Sequence, residues 1–151
     1  MSEKELWKEY ITKCKIEDCE YQAWAFGDDA DLLAELVIND DKTATASAYP
    51  LYELENEPLP KIGEYSVILN SIGEAICVIQ TTKVYVVPFC NVSEEHAFKE
   101  GEGDKSLSFW RNGHKKFFTE CLSEVGKEFD EYMKVVCEEF KVVYKKIDYT
   151  L

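Results

Sequence analysis

The chain has 151 residues, of which 46% are hydrophobic and 13% aromatic; this composition excludes a disordered chain and gives a single domain, 1–151, enough apolar surface for a core. The formal net charge of −13 excludes a non-specific nucleic-acid coat, which needs a basic surface, but is compatible with a small basic cleft. No stretch approaches the ~20 apolar residues of a membrane span, and the charged start has no signal-peptide hydrophobic region. We therefore expect a soluble, cytoplasmic protein without a membrane partner.

The cysteines favour neither disulfides nor a structural zinc site. A chain with no secretion signal and a sufficient core is expected to keep its thiols reduced. Cys14 and Cys19 are separated by four residues, and no second pair with matching spacing completes a zinc ligand set. We expect Cys77 and Cys90, which lie in apolar segments, to be inert core thiols.

Apolar residues recur at helical spacing in two segments near the start of the chain. The segment 2–15 has this pattern, with Ser2 as the candidate N-cap, and the segment 29–40 repeats it. The aromatic segment 20–28 lies between them, and we expect it to pack against a later element.

The hydrophobic period then changes to that of strands. Segments 65–69, 75–82 and 83–89 are rich in β-branched and aromatic residues, and residues 70–74 predict a hairpin turn between the first two. The segment 133–147 has the same composition and predicts a closing strand.

Two further helices are predicted between these strands. Ser93 is placed as the N-cap of a short helix over 93–100, and helical spacing of apolar residues continues from Leu107 to about Leu122. Short strands interrupted by helices predict an α+β fold, with a small twisted sheet that is closed or nearly closed into a barrel and flanked by helices.

The segment EGEGDKSLSFWRNGH, residues 100–114, contains alternating carboxylates and glycines. In an extended loop Glu100, Glu102 and Asp104 would point the same way, which raises at least one carboxyl pKa or calls for a cation. One carboxylate is then a candidate general acid or base, and oxygen ligands alone suit magnesium, calcium or manganese better than zinc. The alternatives are a mobile acidic loop, or capping of the next helix by Asp104 or Ser106.

Aromatic and basic side chains follow this loop. Trp110 and His114 are four residues apart and share a helix face, with Arg111 beside them. Trp and Arg planes stack on bases, and Arg and His bind phosphate, so these three residues are candidate ligand contacts. The alternative places Trp110 in the core and pairs Arg111 with the acidic loop. Lys115 and Lys116 either extend a basic strip or belong to a solvated face.

Lys42 and Thr45 form a second candidate reactive group. A threonine hydroxyl needs a nearby base to act as a nucleophile, and a lysine either serves as that base or stays charged and stabilises an anionic transition state. A turn over 42–45 would bring the two together, whereas the alternative is an ordinary solvated turn. His96 is either a general base or a packed residue of its short helix.

Three stretches of the chain together resemble the ASCH (activating-signal-cointegrator homology) family, whose fold is a PUA-like β-barrel. NDDKTATAS, residues 39–47, is similar to the family stretch G-x-K-x-x-T-x-[RS], with Lys42, Thr45 and Ser47 on the last three defined positions. Residues 88–118 resemble the H/F-A-x-x-E-G-E-G-D and W-R-x-x-H segment of the longer members. The closing strand, 138–147, completes the resemblance.

The resemblance implies a role connected with RNA, because ASCH barrels are similar to PUA domains, which bind RNA. A short-form group hydrolyses an acetyl amide of a modified cytidine with a Lys, a Thr and a Glu, which correspond to Lys42, Thr45 and Glu100. Longer members include a ribonuclease that acts on single strands. Ser47 stands where the short group tends to have Arg, and residues 101–114 are largely absent from that group.

The sequence thus leads to two classes of function. The first is a hydrolase with a ligand cleft, which acts on an acylated cytidine, or on single-stranded RNA with a divalent metal such as manganese or magnesium. Its reactive residues would be Lys42, Thr45 and Glu100, within a hydrogen bond or one water of each other. The second is a non-catalytic module that binds RNA or another protein. The expected ligand contacts are Ser47, Glu102, Asp104, Ser106, Trp110, Arg111 and His114.

Overall fold

The structure is a computed structural model that describes residues 1–146. One mixed sheet has the strand order β1-β3-β4-β5-β2 and is curled into a half-barrel. β1 and β3 are parallel, and the other neighbouring strands are antiparallel. The strands are β1 (Gln22–Ala25), β2 (Ala44–Ala48), β3 (Tyr65–Leu69), β4 (Ala75–Pro88) and β5 (Lys134–Lys145). This architecture confirms the predicted α+β class with a barrel-like sheet and flanking helices.

Five helices surround the sheet over the described part of the chain: α1 (Glu3–Lys13), α2 (Ala30–Ile38), α3 (Tyr49–Glu55), α4 (Glu94–Glu100) and α5 (Leu107–Glu124). Hydroxyls of Ser2, Ser93 and Ser106 accept backbone N–H bonds at three of the helix starts, as the sequence predicts. The sequence did not predict α3, because this helix buries no side chain and has no apolar stripe. None of the helices within residues 1–146 is both long and apolar enough to cross a bilayer.

Residues 75–88 form one continuous strand, so the prediction of two strands over 75–82 and 83–89 was wrong. No turn residue separates the two segments. Instead, register shifts against β5 at Val78/Ile79 and Thr81/Lys83 bend the strand without ending it. The predicted closing strand matches β5 closely, and its predicted last residue, 147, lies outside the described residues.

The short strand β1 lies inside the aromatic segment that was expected only to pack against a later element. Its four residues pair with β3, starting from Gln22 opposite Ser66. β1 and β2 are the two edges of the sheet, and the described strands pair neither edge with the other. The half-barrel therefore has an opening between β1 and β2.

Helices cover both faces of the sheet. α1 packs its Leu6 in one cluster with Val67, and α2 packs its Val37 in another cluster with Ile68. Because Val67 and Ile68 are consecutive residues of β3, they point to opposite faces. A third cluster joins Phe118 of α5 to the sheet. Each fully buried side chain of this kind contributes roughly 1.5–3 kcal/mol, which fixes α5 and the loop before it against β2 and β5.

Candidate ligand cleft and its buried charges

The glycines of EGEGD allow the chain to press against the start of β2. Glu100 is the last residue of α4, and Gly101 follows with a φ of +72°. A Cβ on Gly101 would lie 1.9 Å from the carbonyl oxygen of Asp41, so only glycine fits this contact. The backbone N–H of Thr43 also donates to the carbonyl of Lys99 at 2.7 Å. These contacts bring together two segments that are distant in sequence.

Lys42 lies between the two glutamates of this loop. Its Nζ is 3.1 Å from Glu100 Oε1, 3.0 Å from Glu102 Oε2 and 3.4 Å from the Glu100 carbonyl oxygen. The three N–H donors of the ammonium group are therefore matched by three acceptors. The side chain is only 1% exposed, and its charge also lies 5.3 Å from the centre of the Phe26 ring. Lys42 thus supplies the cation that the alternating carboxylates require.

Glu100 is a fully satisfied, buried carboxylate. Its Oε2 accepts hydrogen bonds from His96 Nε2 at 2.8 Å and from the indole N–H of Trp110, while Oε1 faces Lys42 and His114. Burial opposes ionisation most strongly, but the charges of Lys42 and His114 and the hydrogen bonds outweigh it and hold the pKa of Glu100 well below its ordinary value. Glu100 therefore stays ionised, and as an anion it holds the surrounding side chains in place.

Both ring nitrogens of His114 face an acceptor. Its Nδ1 donates to the carbonyl of Trp110 at 2.9 Å, and its Nε2 lies 3.4 Å from Glu100 Oε1. The ring also stacks on the Trp110 indole at a centroid distance of 4.2 Å. Burial would lower the pKa of His114, but the hydrogen bond and charge of Glu100 raise it overall. In its protonated form, which this environment favours, His114 is a second cation beside Lys42.

Glu102 is the accessible carboxylate of this cluster, with 24% of its side chain exposed. Burial and the neighbouring Glu100 raise its pKa, and Lys42 only partly offsets this effect. A carboxyl group with a raised pKa and access to a cavity exchanges protons more readily than the anchored Glu100. Within this cluster, the geometry therefore favours Glu102 as the acid or base.

His96 contacts the back of the cluster. Its ring is 1% exposed, its Nε2 donates to Glu100, and its Nδ1 has no hydrogen-bond partner among residues 1–146. The rings of Tyr85 and Trp110 pack edge-on against it. This environment corresponds to the packed alternative for His96, because no ligand could reach a ring so fully enclosed.

Glu100, Glu102 and His114 also place one ligand atom each within 4.8 Å of one another. Carboxylate oxygens are typical ligands of manganese and magnesium, whereas an imidazole nitrogen is more typical of zinc, iron, nickel or copper. The Lys42 ammonium, however, lies about a hydrogen bond from both carboxylates. A divalent ion held by both glutamates would have to displace Lys42 from between them.

A cavity of about 290 Å³, here called the first cavity, opens above this cluster. Lys42 and Glu100 are in direct contact there, while Thr45 lies on the wall with no hydrogen bond to either among the described residues. The predicted reactive trio therefore shares one cavity. The predicted site residues that line it are Lys42, Thr45, Glu100, Glu102, Trp110 and His114.

A second cavity of about 470 Å³ lies in the opening between the edge strands β1 and β2. It contains Ser47, whose hydroxyl is 2.8 Å from the hydroxyl of Tyr52. The two cavities meet at a common wall. The residues that line both are Phe26, Gly27, Thr45, Ala46 and Phe117.

Asp104, Ser106 and Arg111 line neither cavity. Asp104 accepts from the backbone N–H of Ser106, and the Ser106 hydroxyl caps α5, which corresponds to the capping alternative. Arg111 is exposed and donates to the carbonyl of Cys90 at 3.0 Å. Because Gly101 and Gly103 both have positive φ, the loop is not extended, and its third carboxylate is exposed whereas the first is buried.

Sequence reasoning missed Glu138, a buried carboxyl group in the second cavity. Glu138 lies in β5 between Val136 and Phe140, and residues two apart in a strand share a face. Both neighbours are buried. A charged residue at an inward-facing strand position was therefore a signal that the sequence contained.

Comparisons with known proteins agree with this architecture. A model of the family described as the ASCH domain matches residues 22–144. A protein from Enterococcus faecalis V583 with a known crystal structure is 35% identical in sequence to this chain, and the two superpose with a TM-score of 0.86 over 93% of this chain and 86% of that chain. The ASCH domain of Lactobacillus crispatus JV V101 is 34% identical, with a TM-score of 0.87 over 93% of both chains. A hypothetical protein at 16% identity and a TM-score of 0.55 is similar in fold alone. No curated protein matches the chain.

Proposed function

This chain belongs to the ASCH domain family, whose members generally bind RNA, and we propose that it binds a nucleoside-sized ligand and hydrolyses an amide on its base. The observation that carries this proposal is the Lys42 ammonium, held between Glu100 and Glu102 at one end of the cleft. Such a site places fixed charges where a carbonyl group would develop negative charge.

The size and charge of the cleft favour a small ligand over a long RNA strand. The second cavity, at about 470 Å³, lies within the ~300–1,000 Å³ of typical small-molecule sites, and the first cavity extends it. A formal net charge of −13 disfavours extended contact with a phosphate backbone. A modified nucleoside, or one nucleotide at the end of a strand, matches both features.

The residues of the first cavity provide each role that amide hydrolysis needs. Glu102 takes a proton from a water molecule, and the water oxygen attacks the amide carbonyl. Lys42 and His114 stabilise the resulting oxyanion by their charge. Lys42 has one weak hydrogen bond, 3.4 Å to the Glu100 carbonyl, that it can exchange for the oxyanion.

Collapse of the tetrahedral intermediate breaks the C–N bond. Glu102 returns its proton to the leaving nitrogen, so the products are a carboxylic acid and an amine, and the enzyme is regenerated. Thr45, on the shared wall, donates a hydrogen bond from its hydroxyl group to the substrate and so orients the amide. Glu100 does not exchange protons in this scheme but holds Lys42, His114 and Trp110 in place.

A second candidate function is cleavage of single-stranded RNA with a bound divalent metal. The convergence of Glu100, Glu102 and His114 favours it, since the two carboxylates suit manganese or magnesium. Amide hydrolysis is the better-supported function because Lys42 already occupies the position between both carboxylates.

The test is turnover of N4-acetylcytidine and of a short single-stranded RNA by purified protein, each with manganese and with a chelator. We expect release of cytidine and acetate in both conditions. Glu102→Gln should lose about 10²–10⁴ of this rate, the usual contribution of general acid–base catalysis. Glu95→Gln is the matched control, because the ion pair that Glu95 forms within residues 1–146 is with Lys99, on the exposed side of α4.

The other outcomes are equally informative. Cleavage of RNA that requires manganese and is lost in Glu102→Gln would replace amide hydrolysis by the ribonuclease function. If neither substrate is consumed but RNA or nucleoside binds, the domain is a binding module. Equal rates for Glu102→Gln and the wild type would remove Glu102 from the mechanism.

A further inference from the structure

The second cavity is lined by acidic and aromatic side chains without basic ones. Among the described residues that line it, no lysine or arginine is present. Carboxylates repel a phosphate, and aromatic faces offer a stacking surface for a heterocycle. The carboxylates are those of Glu55, Glu57, Glu64 and Glu138, and the aromatic rings are those of Trp24, Phe26, Tyr52, Phe117 and Phe118.

Glu138 is the buried member of this group, with 9% of its surface exposed. Its Oε2 accepts a hydrogen bond from the Thr81 hydroxyl at 2.7 Å, at the bulge that bends β4. Its Oε1 has no hydrogen-bond partner among residues 1–146. Among the described residues, this oxygen is not one of the buried side-chain atoms that lack a partner, so it is accessible from the cavity and available to accept a hydrogen bond from a ligand.

Glu138 is also close to the place where the two cavities meet. It lies directly opposite Thr45 in the β2–β5 ladder, and Thr45 lines both cavities. Opposite residues of an antiparallel pair have Cβ atoms about 4.5–5.5 Å apart. A ligand that spans the shared wall would therefore place one group near Lys42 and Glu102 and the next group near Glu138.

We propose that Glu138 determines specificity by accepting a hydrogen bond from the amino or amide N–H of a cytosine-like base, and that the second cavity selects unphosphorylated nucleosides. Acceptance from the cytosine 4-amino group is the usual role of a carboxylate at this base. Burial also raises the pKa of Glu138, against the hydrogen bond of Thr81, so in its protonated form the carboxyl group can donate to the adjacent ring nitrogen. The inference relies on the proposed function only for the position of the reacting amide.

The test measures binding rather than turnover, by calorimetry with cytidine, with the cytidine analogue that lacks the 4-amino group, and with cytidine 5′-monophosphate. Wild type should bind cytidine at least about tenfold more tightly than either of the other two ligands. The analogue leaves the Glu138 acceptor without a donor, and the monophosphate brings a phosphate group that the carboxylates of the cavity repel. Glu138→Gln should weaken cytidine binding by about fivefold or more, because a neutral acceptor is weaker than a charged one. It should leave binding of the analogue within about twofold.

Glu139→Gln is the matched control. Glu139 is the next residue of the same strand, points to the other face and pairs with Lys99. This variant should retain the wild-type preference for cytidine. Thermal unfolding of both variants verifies that each remains folded.

Failure of the inference is distinguishable from failure of the proposed function. If cytidine does not bind, if the monophosphate binds as tightly as cytidine, or if Glu138→Gln retains the full preference over the analogue, the inference is wrong even where N4-acetylcytidine is hydrolysed. If cytidine binding depends on Glu138 but no amide is hydrolysed, the inference stands and hydrolysis is wrong.

Discussion

The two cavities share a wall, but the buried glutamate of each has a different set of partners and an opposite pKa shift. In the first, Glu100 is surrounded by donors from Lys42, His96, Trp110 and His114, and its pKa is lowered. In the second, Glu138 has one hydroxyl partner, and burial raises its pKa. A carboxylate with both oxygens paired inside the protein stabilises its surroundings, whereas one with an unpaired oxygen is available to a ligand. The difference distinguishes a preorganised reactive end from a recognition end.

The largest expected effect is that of removing the cation of the first cavity. Lys42→Met leaves Glu100 and Glu102 buried or half-buried without their shared counter-charge, and breaking a buried ion pair costs about 3–5 kcal/mol. We therefore expect the free energy of unfolding to fall by that amount at pH 7, measured by urea denaturation, together with complete loss of turnover.

Lys99→Met is the matched control for this substitution. Lys99 also pairs with two glutamates, Glu95 and Glu139, but it is about one-third exposed. Exposed pairs contribute only about 0–1 kcal/mol, and turnover should be unchanged. A loss of similar size in both variants would contradict the view that the first cavity depends on buried, paired charge.

The second effect concerns the contact that builds the first cavity. Gly101→Ala places a Cβ against the Asp41 carbonyl and also strains a residue with a φ of +72°, which together should cost about 2–4 kcal/mol. Gly126→Ala has the same φ but an open space around it, so it should cost only about 1 kcal/mol. Equal losses, measured by urea denaturation, would show that the close approach to Asp41 has no importance.

The third prediction applies one substitution to both cavities. A lowered pKa means that Glu100 contributes stability above its ordinary value of 4.5, so Glu100→Gln should destabilise by about 2 kcal/mol at pH 8. A raised pKa means that Glu138 contributes stability that is fully present below 4.5 and is lost as the pH rises through the folded-state pKa. Glu138→Gln should therefore be neutral or stabilising at pH 8, by up to about 1 kcal/mol.

Urea denaturation at pH 8 and pH 4 checks both signs. At pH 4, below the ordinary value of 4.5, Glu138 is mostly protonated in the folded and unfolded states, so its replacement by glutamine should have a smaller effect than at pH 8. If both variants were destabilised equally at pH 8, the proposed contrast between the two cavities would be wrong.

Local patterns predicted most of the fold. Apolar spacing and serine caps located α1, α4 and α5, and strand composition located β3 and β5. The exceptions are elements without a local signal. The helix α3 buries no side chain, and β1 is a four-residue edge strand defined only by its pairing with β3. The single strand β4 depends on bulges against β5, which are also non-local.

The site was predictable in its residue types but not in its arrangement. Resemblance to a family indicated Lys42 and Glu100, which are 58 residues apart in sequence. No periodicity indicates that Gly101 packs on Asp41 and so brings them together. The roles of Glu100 and Glu102 also required the structure, because residues of one type, two positions apart, differ in their pKa shifts only through burial and partners.

The smallest expected effect is a pH dependence that arises from His114. Because its folded-state pKa is raised above 6.5, its imidazolium contributes stability that is fully present below pH 6.5 and is lost as the pH rises through the folded-state pKa. His114→Phe keeps a ring against Trp110 but removes the charge, so it should destabilise more at pH 5.5 than at pH 9 in urea denaturation. Repeating the comparison of His114 with His114→Phe in a Glu100→Gln background, where the carboxylate partner is absent, should remove this pH dependence. An equal loss at both pH values would mean that the ring acts by packing alone, and the second cation would then be absent from the proposed mechanism.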